Sequence, residues 1–240
     1  MKRVAVLSDV HGNLPALEAV LAEVEGEQVD LIVSGGDVAA GPMPAECVDC
    51  LRELGDRVAW VRGNADREEA IPEAVATALV PYLAARLGSD RRTFISSAAI
   101  TVEVEVDTLG RVLVCHGSPR SDEEILTRLS PDRRVDEALA DVDAELVICG
   151  HTHVQFDRLV SGRRLVNAGS VGMPYEGRRG AFWALLGPEV ELRRTEYDVE
   201  AAVAAFRGTG YPLADEITGS LLDPPDPDET SANFEARAAS

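Results

Sequence analysis

The 240-residue chain has only four histidines, His11, His116, His151 and His153, and each lies within three residues of a glycine or aspartate at the end of an apolar run. Asp9, Asp37 and Asn64 occupy comparable places. Imidazole nitrogens, carboxylate oxygens and an amide oxygen are donors that divalent transition metals accept. In Asp9-Val10-His11 a continuing strand would put both side chains on one face, within reach of one ion. The two oxygens of Asp37 could serve two ions, and glycines beside Asp37, Asn64, His116 and His151 let the backbone turn close to them. A lone Asp or His at a strand end is more often structural. Five such motifs in order, using every histidine of the chain, favour a two-metal hydrolytic centre over separate structural roles.

These residues need strands to carry them. Val4–Leu7, Leu31–Val33 and Val58–Val61 are apolar runs ending at Asp9, at Gly36-Asp37 and at Gly63-Asn64. Between the first two, Asn13 can cap a helix with Pro15 in its first turn and Leu14, Leu17, Leu21 and Val24 at helical spacing. A second helix is expected over Pro44–Leu54, and an Ala-rich one over Arg67–Leu87, interrupted at Pro72 and Pro81. This alternation predicts parallel strands with right-handed crossovers. The second half reads as hairpins: Ile100–Val106 with Val112–Cys115, Phe156–Val160 with Arg164–Val166, and Ala181–Leu186 with Val190–Glu196. Leu146–Cys149 adds a strand before Gly150-His151-Thr152-His153, after a polar helical stretch over 121–139, and residues 198–207 form a last helix. Strand ends are where parallel-sheet enzymes place their sites.

Composition narrows the class. The net charge of −19 is spread over the chain, because residues 1–208 hold 35 acidic against 22 basic side chains. That disfavours duplex nucleic acid, which needs clustered Lys and Arg. No apolar run approaches the ~18 residues of a membrane span, and the short apolar start reads as a first strand and not a signal peptide, so a cytoplasmic location is expected. Cys47 and Cys50 form a C-x-x-C pair with no second pair at zinc spacing, which makes them packing residues on a helix. Residues 1–208 are expected to form one domain and 209–240 an acidic extension. Pro224-Pro225-Asp226-Pro227-Asp228 predicts disorder from about residue 223.

The set Asp9-Val10-His11, Gly36-Asp37, Gly63-Asn64-Ala65-Asp66, His116 and Gly150-His151-Thr152-His153 resembles the motif order of the calcineurin-like metallophosphoesterases, from Val4 to about Glu196. The length is similar to that of their small single-domain bacterial phosphodiesterases. The resemblance implies an α/β fold, a four-layer α-β-β-α sandwich of two mixed sheets with helices on both outer sides. It implies two divalent ions, Mn first, with Fe, Zn or Ni as alternatives. One would be held by Asp9, His11, Asp37 and His153, the other by Asp37, Asn64, His116 and His151. A metal-bridging hydroxide would attack phosphorus in line. Catalytic roles would fall to Asp37, Asn64, His116 and Asp66, the last either as proton donor or as a carboxylate orienting a ligand imidazole.

Many family members carry His where this chain has Ala65, and a methyl group donates no proton. Substrates whose leaving oxygen needs little protonation are therefore expected. The expected partner is a small phosphodiester. Dinucleoside polyphosphates and phosphomonoesters such as phosphoproteins are the enzymatic alternatives, and a metal-free binding scaffold is the non-enzymatic one. A nuclease is disfavoured by the charge and the missing capping domain. Arg67, Arg120, Arg178 and Arg179 are candidate phosphate contacts. Residues 167–170 would support the His151/His153 loop, and Met173-Pro174-Tyr175 would line the entrance. The sequence sets no oligomeric state.

Overall fold

The computed structural model describes residues 1–239. Its ten strands make two five-stranded sheets. In the first, β1 (Val4–Leu7), β2 (Leu31–Ser34) and β3 (Val58–Trp60) are parallel, and β9 (Ala181–Leu186) and β10 (Val190–Thr195) continue it antiparallel on the other side of β1. In the second, β5 (Gly110–Cys115), β6 (Leu146–Cys149) and β8 (Arg163–Asn167) are parallel, with β4 (Thr101–Val106) and β7 (Phe156–Val160) antiparallel at the edges.

β1, β6 and β9 are buried at every position. Their unbroken apolar runs arise because both faces are covered. Alternate residues of each go to different layers. Val4, Val6, Ile148, Ala184 and Leu186 fill the space between the sheets. Ala5, Leu7, Trp183 and Leu185 face helices α1 (Leu14–Gly26), α2 (Pro44–Arg52), α3 (Glu73–Ser96), α5 (Val199–Arg207) and α6 (Ala214–Leu222). On the outside of the second sheet, Leu113, Val147 and Leu165 pack against Leu126 and against Val135 and Leu139 at α4 (Asp132–Ala138). This is the expected four-layer sandwich of two mixed sheets.

Register brings the strand ends together. Leu7 pairs with Ser34 and Ser34 with Trp60, so the loops after β1, β2 and β3 leave one edge side by side. Val114 pairs with Ile148 and Ile148 with Val166, which does the same for β5, β6 and β8. Asn13 caps α1 by accepting from the Ala16 amide at 3.1 Å, and it donates to the Gly172 carbonyl at 2.9 Å, tying the helix start to the loop after β8. No helix among the described residues is long and apolar enough to cross a membrane. Cys47 is buried and Cys50 half-buried on α2, both unpaired, in keeping with a packing role.

Three expectations are corrected. The helix read over 121–139 shrinks to α4, because Ser118 and Ser121 bridge to each other and Pro131 sets the helix start. Proline does not break α3: Pro72 precedes its first residue, Pro81 lies inside it, and the irregular residue is Gly88, with φ 68°. Residues beyond 223, read as disordered, carry α7 (Pro227–Ala238). The Pro/Asp run that looked like a linker is a helix start. Asp226 accepts from the Asp228 and Glu229 amides, Pro227 sits in the first turn, and both acids lie at the N-terminal end of the helix dipole. Glu235 then anchors α7 to the body, accepting from the Thr127 and Ser130 hydroxyls at 2.6 and 2.7 Å and pairing with Arg134.

Candidate metal centre

All seven candidate ligands gather at the carboxyl edge of the sandwich, though by a different route from the one the strand pattern implied. β1 ends at Leu7, so Asp9 and His11 do not share a strand face. Five of the seven ligand candidates have left-handed backbone instead: Asp9, His11, Asp37, His151 and His153, with φ between 45° and 65°. Such a conformation is uncommon outside glycine and costs about 1–3 kcal/mol per residue. Glycine is needed where loops cross. A Cβ on Gly63 would collide with the Asp37 carboxylate, and one on Gly150 would lie 2.5 Å from Asp9 Oδ2.

Hydrogen bonds aim the donors inward. His11 Nδ1 donates to the Ala40 carbonyl at 3.0 Å, His116 Nδ1 to Gly35 at 2.8 Å and His153 Nδ1 to Met173 at 2.6 Å. A carbonyl only accepts, so each Nδ1 carries a proton and each Nε2 is turned into the site. Yet His11 Nε2 and His153 Nε2 lie 3.1 Å apart, and His116 Nε2 is 3.1 Å from Asn64 Oδ1. Asp9 accepts the His151 amide through Oδ2 at 3.0 Å, while its buried Oδ1 has no hydrogen-bond partner and sits 3.1 Å from His153 Nε2. Asp37 accepts the Ala65 amide through Oδ1 at 2.7 Å. Its Oδ2 lies 3.7 Å from His11 Nε2 and 3.4 Å from His116 Nε2. Nitrogens and oxygens this close in a buried site repel unless a proton or a metal cation lies among them. The donor set therefore fits divalent metal. Two triads, Asp9/His11/His153 and Asp9/Asp37/His116, each have ligand atoms within 4.8 Å of one another.

The electrostatics agree. Burial alone would raise the Asp9 carboxyl, but His153, His116 and His11 hold it below the ordinary carboxylate range. Burial opposes a proton on His116, yet Asp37 and Asp9 push its pKa up to about 10, the mark of an anionic pocket that welcomes a positive charge. Burial, aided by His116, lowers His151 to about 4 and keeps its imidazole neutral.

Not every residue stands where the sequence implied. His151 lies outside both triads, its ring 5.1 Å from that of His116. Asp66 orients no imidazole: Oδ2 accepts from the Asp37 and Gly63 amides at 2.9 Å each, and Oδ1 from Val38 at 3.1 Å. Burial first, then Asp37, raises its pKa to about 7. Arg67 is bound to Asp122 and Glu123, Arg120 to Glu124, Arg179 to Glu200, and Arg178 lies over the Phe182 ring. None of the four lines the cavity above the ligands. Asn167 does support the histidine loop, donating to the Gly150 carbonyl at 2.6 Å and to Thr152.

That cavity, ≈ 640 Å³, has His11, Asp37, Asn64, His151 and His153 on its floor. Met173 and Tyr175 line it as expected, and Tyr175 stacks on the His153 ring at 4.7 Å. The sequence reading missed the C-terminal contribution: Ile217 from α6 and Phe234 and Arg237 from α7. Its signal was the helix-start pattern at 226–229 and Arg237, the one base among residues 209–240.

Residues 1–186 match the family described as calcineurin-like phosphoesterase superfamily domain. Over 224 residues the chain is 28% identical to an uncharacterised protein of Methanocaldococcus jannaschii, covering 83% of this chain and 89% of the relative. A crystal structure of a metallophosphoesterase from Sphaerobacter thermophilus matches with a TM-score of 0.73 at 28% identity, covering 92% of this chain and 98% of that one. A hypothetical protein from Pyrococcus horikoshii shares the fold, with a TM-score of 0.81 at 20% identity, covering 94% of this chain and 100% of its own.

Proposed function

This chain belongs to the calcineurin-like phosphoesterase superfamily, and on that premise we propose that it is a binuclear, divalent-metal-dependent phosphodiesterase acting on a small phosphoester. The observation that carries the reading is the meeting of two imidazole nitrogens, His11 Nε2 and His153 Nε2 at 3.1 Å, beside the unpartnered Asp9 Oδ1. Asp9, His11, Asp37 and His153 would hold one ion, and Asp37, Asn64, His116 and His151 would hold the other; a shared role for Asp37 is supported by its Oδ2 lying near both His11 and His116. Two such cations, Mn first among Mn, Fe, Zn and Ni for an all-N/O donor set, supply Lewis acidity toward phosphoryl oxygen and a lowered pKa for the attacking water.

The chain's own residues then set which ester reacts. Asp66 has both oxygens on backbone amides, and Ala65 lines the cavity with a methyl group. No side chain at the position after Asn64 donates a proton to the leaving oxygen, so an aryl oxide or a phosphate leaves faster than an alkoxide, general-acid help being worth ~10²–10⁴-fold. The cavity above the floor leaves room for a second ester group, which favours a diester over a monoester.

The test is hydrolysis of bis(p-nitrophenyl) phosphate by protein loaded with Mn, Fe, Zn or Ni, with metal content measured by elemental analysis. Two metals per chain and turnover are expected. Asp37→Ala and His116→Ala should both fall to background, and a simple dialkyl phosphate should be far slower than the aryl diester. Retained activity in either variant refutes the site. Protein that binds no metal and turns over nothing is a scaffold.

A further inference from the structure

We propose that α7 makes this site specific for phosphoesters bearing a planar aromatic group, with Phe234 as the specificity-determining residue. The proposal rests on the reading that phosphate binds at the metal centre. It goes beyond the family match, which ends at residue 186.

Phe234 is half-buried on α7 and its ring lies 6.3 Å from that of His151, a floor residue of the cavity. The Arg237 guanidinium lies 5.2 Å from the Phe234 ring centre and also lines the cavity. From floor to rim the wall therefore runs imidazole, phenyl, guanidinium. The same cavity is also lined by the apolar side chains of Ile71, Leu79 and Met173 and by the Tyr175 ring. A phosphoester with phosphorus on the floor must send its organic group up this passage. An alkyl stub would leave Phe234 unused, whereas a flat ring covers it. Aromatic faces attract such rings, and a base–aromatic contact is worth about 1–3 kcal/mol by alanine substitution.

α7 is built to hold this wall in place. Asp226 caps its start, Arg128 pairs with Asp228, and Glu235, next to Phe234 in sequence, takes two hydroxyls and Arg134 from the body. In an otherwise acidic segment of seven acids, the one basic side chain is the one over Phe234. A nucleoside phosphoester and a simple aryl phosphoester share the ring chemistry; the polar rim residues Glu216 and Asn233 would add contacts only to the sugar of the first.

Calorimetric dissociation constants on Mn-loaded protein test this for adenosine 5′-monophosphate, phenyl phosphate and methyl phosphate, which present the same phosphate group to the floor. The expected result is at least tenfold tighter binding of one or both aromatic ligands than of methyl phosphate. Phe234→Ala should narrow that ratio by about tenfold with methyl phosphate unchanged, and Phe234→Tyr should keep it. A preference for the adenosine ligand over phenyl phosphate identifies a nucleoside substrate, and parity identifies an aryl one. Equal binding of all three by the wild type, or a ratio unmoved in Phe234→Ala, overturns the proposal. Turnover of the aryl diester without this preference sinks the α7 proposal and leaves the phosphodiesterase standing. The preference without turnover does the reverse.

Discussion

Asp66, which is not among the ligand candidates, carries much of the geometry of those that are. Its carboxylate takes three backbone amides, from Asp37, Val38 and Gly63, and so clamps the loop after β2 to the loop after β3. Asp37 and Asn64 are held at a fixed separation by that clamp. Asp66→Asn turns an acceptor oxygen into an NH2 that faces amide donors. We expect metal affinity to fall about 10–100-fold, the usual effect of losing a support for a ligand. Thermal stability should drop by about 1–3 kcal/mol for the unsatisfied buried amide. Metal titration and a melting curve check both. If Asp66 were a proton donor, the variant would keep its metals and lose only turnover of poor leaving groups. The sequence marked Asp66 as important, but a carboxylate leaves no sign in sequence of whether it meets a metal, a proton or a row of backbone amides. The same holds for the left-handed residues. Asp9, His11, Asp37, His151 and His153 were legible as ligands by type and spacing, while their positive φ values belong to loop geometry that no periodicity encodes.

Strands announced themselves in this chain because burial on both faces makes their apolar runs continuous; β1, β6 and β9 matched their expected ranges. The helices α1, α2 and α5 also lie where expected, but α4 and α7 do not. The 121–139 segment is mostly polar, and its turn-forming serines and Pro131 win over helical propensity, whereas α7 hides its start inside a run that mimics a linker. Docking explains why α7 is ordered, and it yields a prediction at this scale. Glu235→Ala removes the acceptor shared by Thr127, Ser130 and Arg134. Amide hydrogen exchange in residues 227–238 should quicken about tenfold or more, since hydrogen bonds to a charged group are worth about 1.5–3 kcal/mol and tenfold is about 1.4. Exchange in β1 and β6 should not change. Equal protection of α7 in the variant would show that its apolar contacts alone hold it.

At the scale of the molecule, the proposed centre would tie stability to metal. Asp9 and Asp37 are buried together, and the ligands come from loops of both sheets, so ions that bind only the folded chain stabilise all of it. At metal concentrations a hundredfold above the dissociation constant the gain is about 2.7 kcal/mol for one site. For a chain of this size that is a rise in Tm of about 5–10 °C. Melting with and without a chelator measures it, and an unchanged Tm would mean that the ions contribute nothing to the fold. The order of the first sheet, β10-β9-β1-β2-β3, carries one more consequence. Its middle strand, β1, meets its β9 neighbour only through residues 181–186, far along the chain. A polypeptide still emerging from the ribosome thus holds its first strand with one flank open until residues 181–186 have been made. His151 and His153 arrive shortly before that closing partner. The nascent chain can therefore not close its sandwich early, and capture of ions at the proposed centre would be a late event that marks a finished fold.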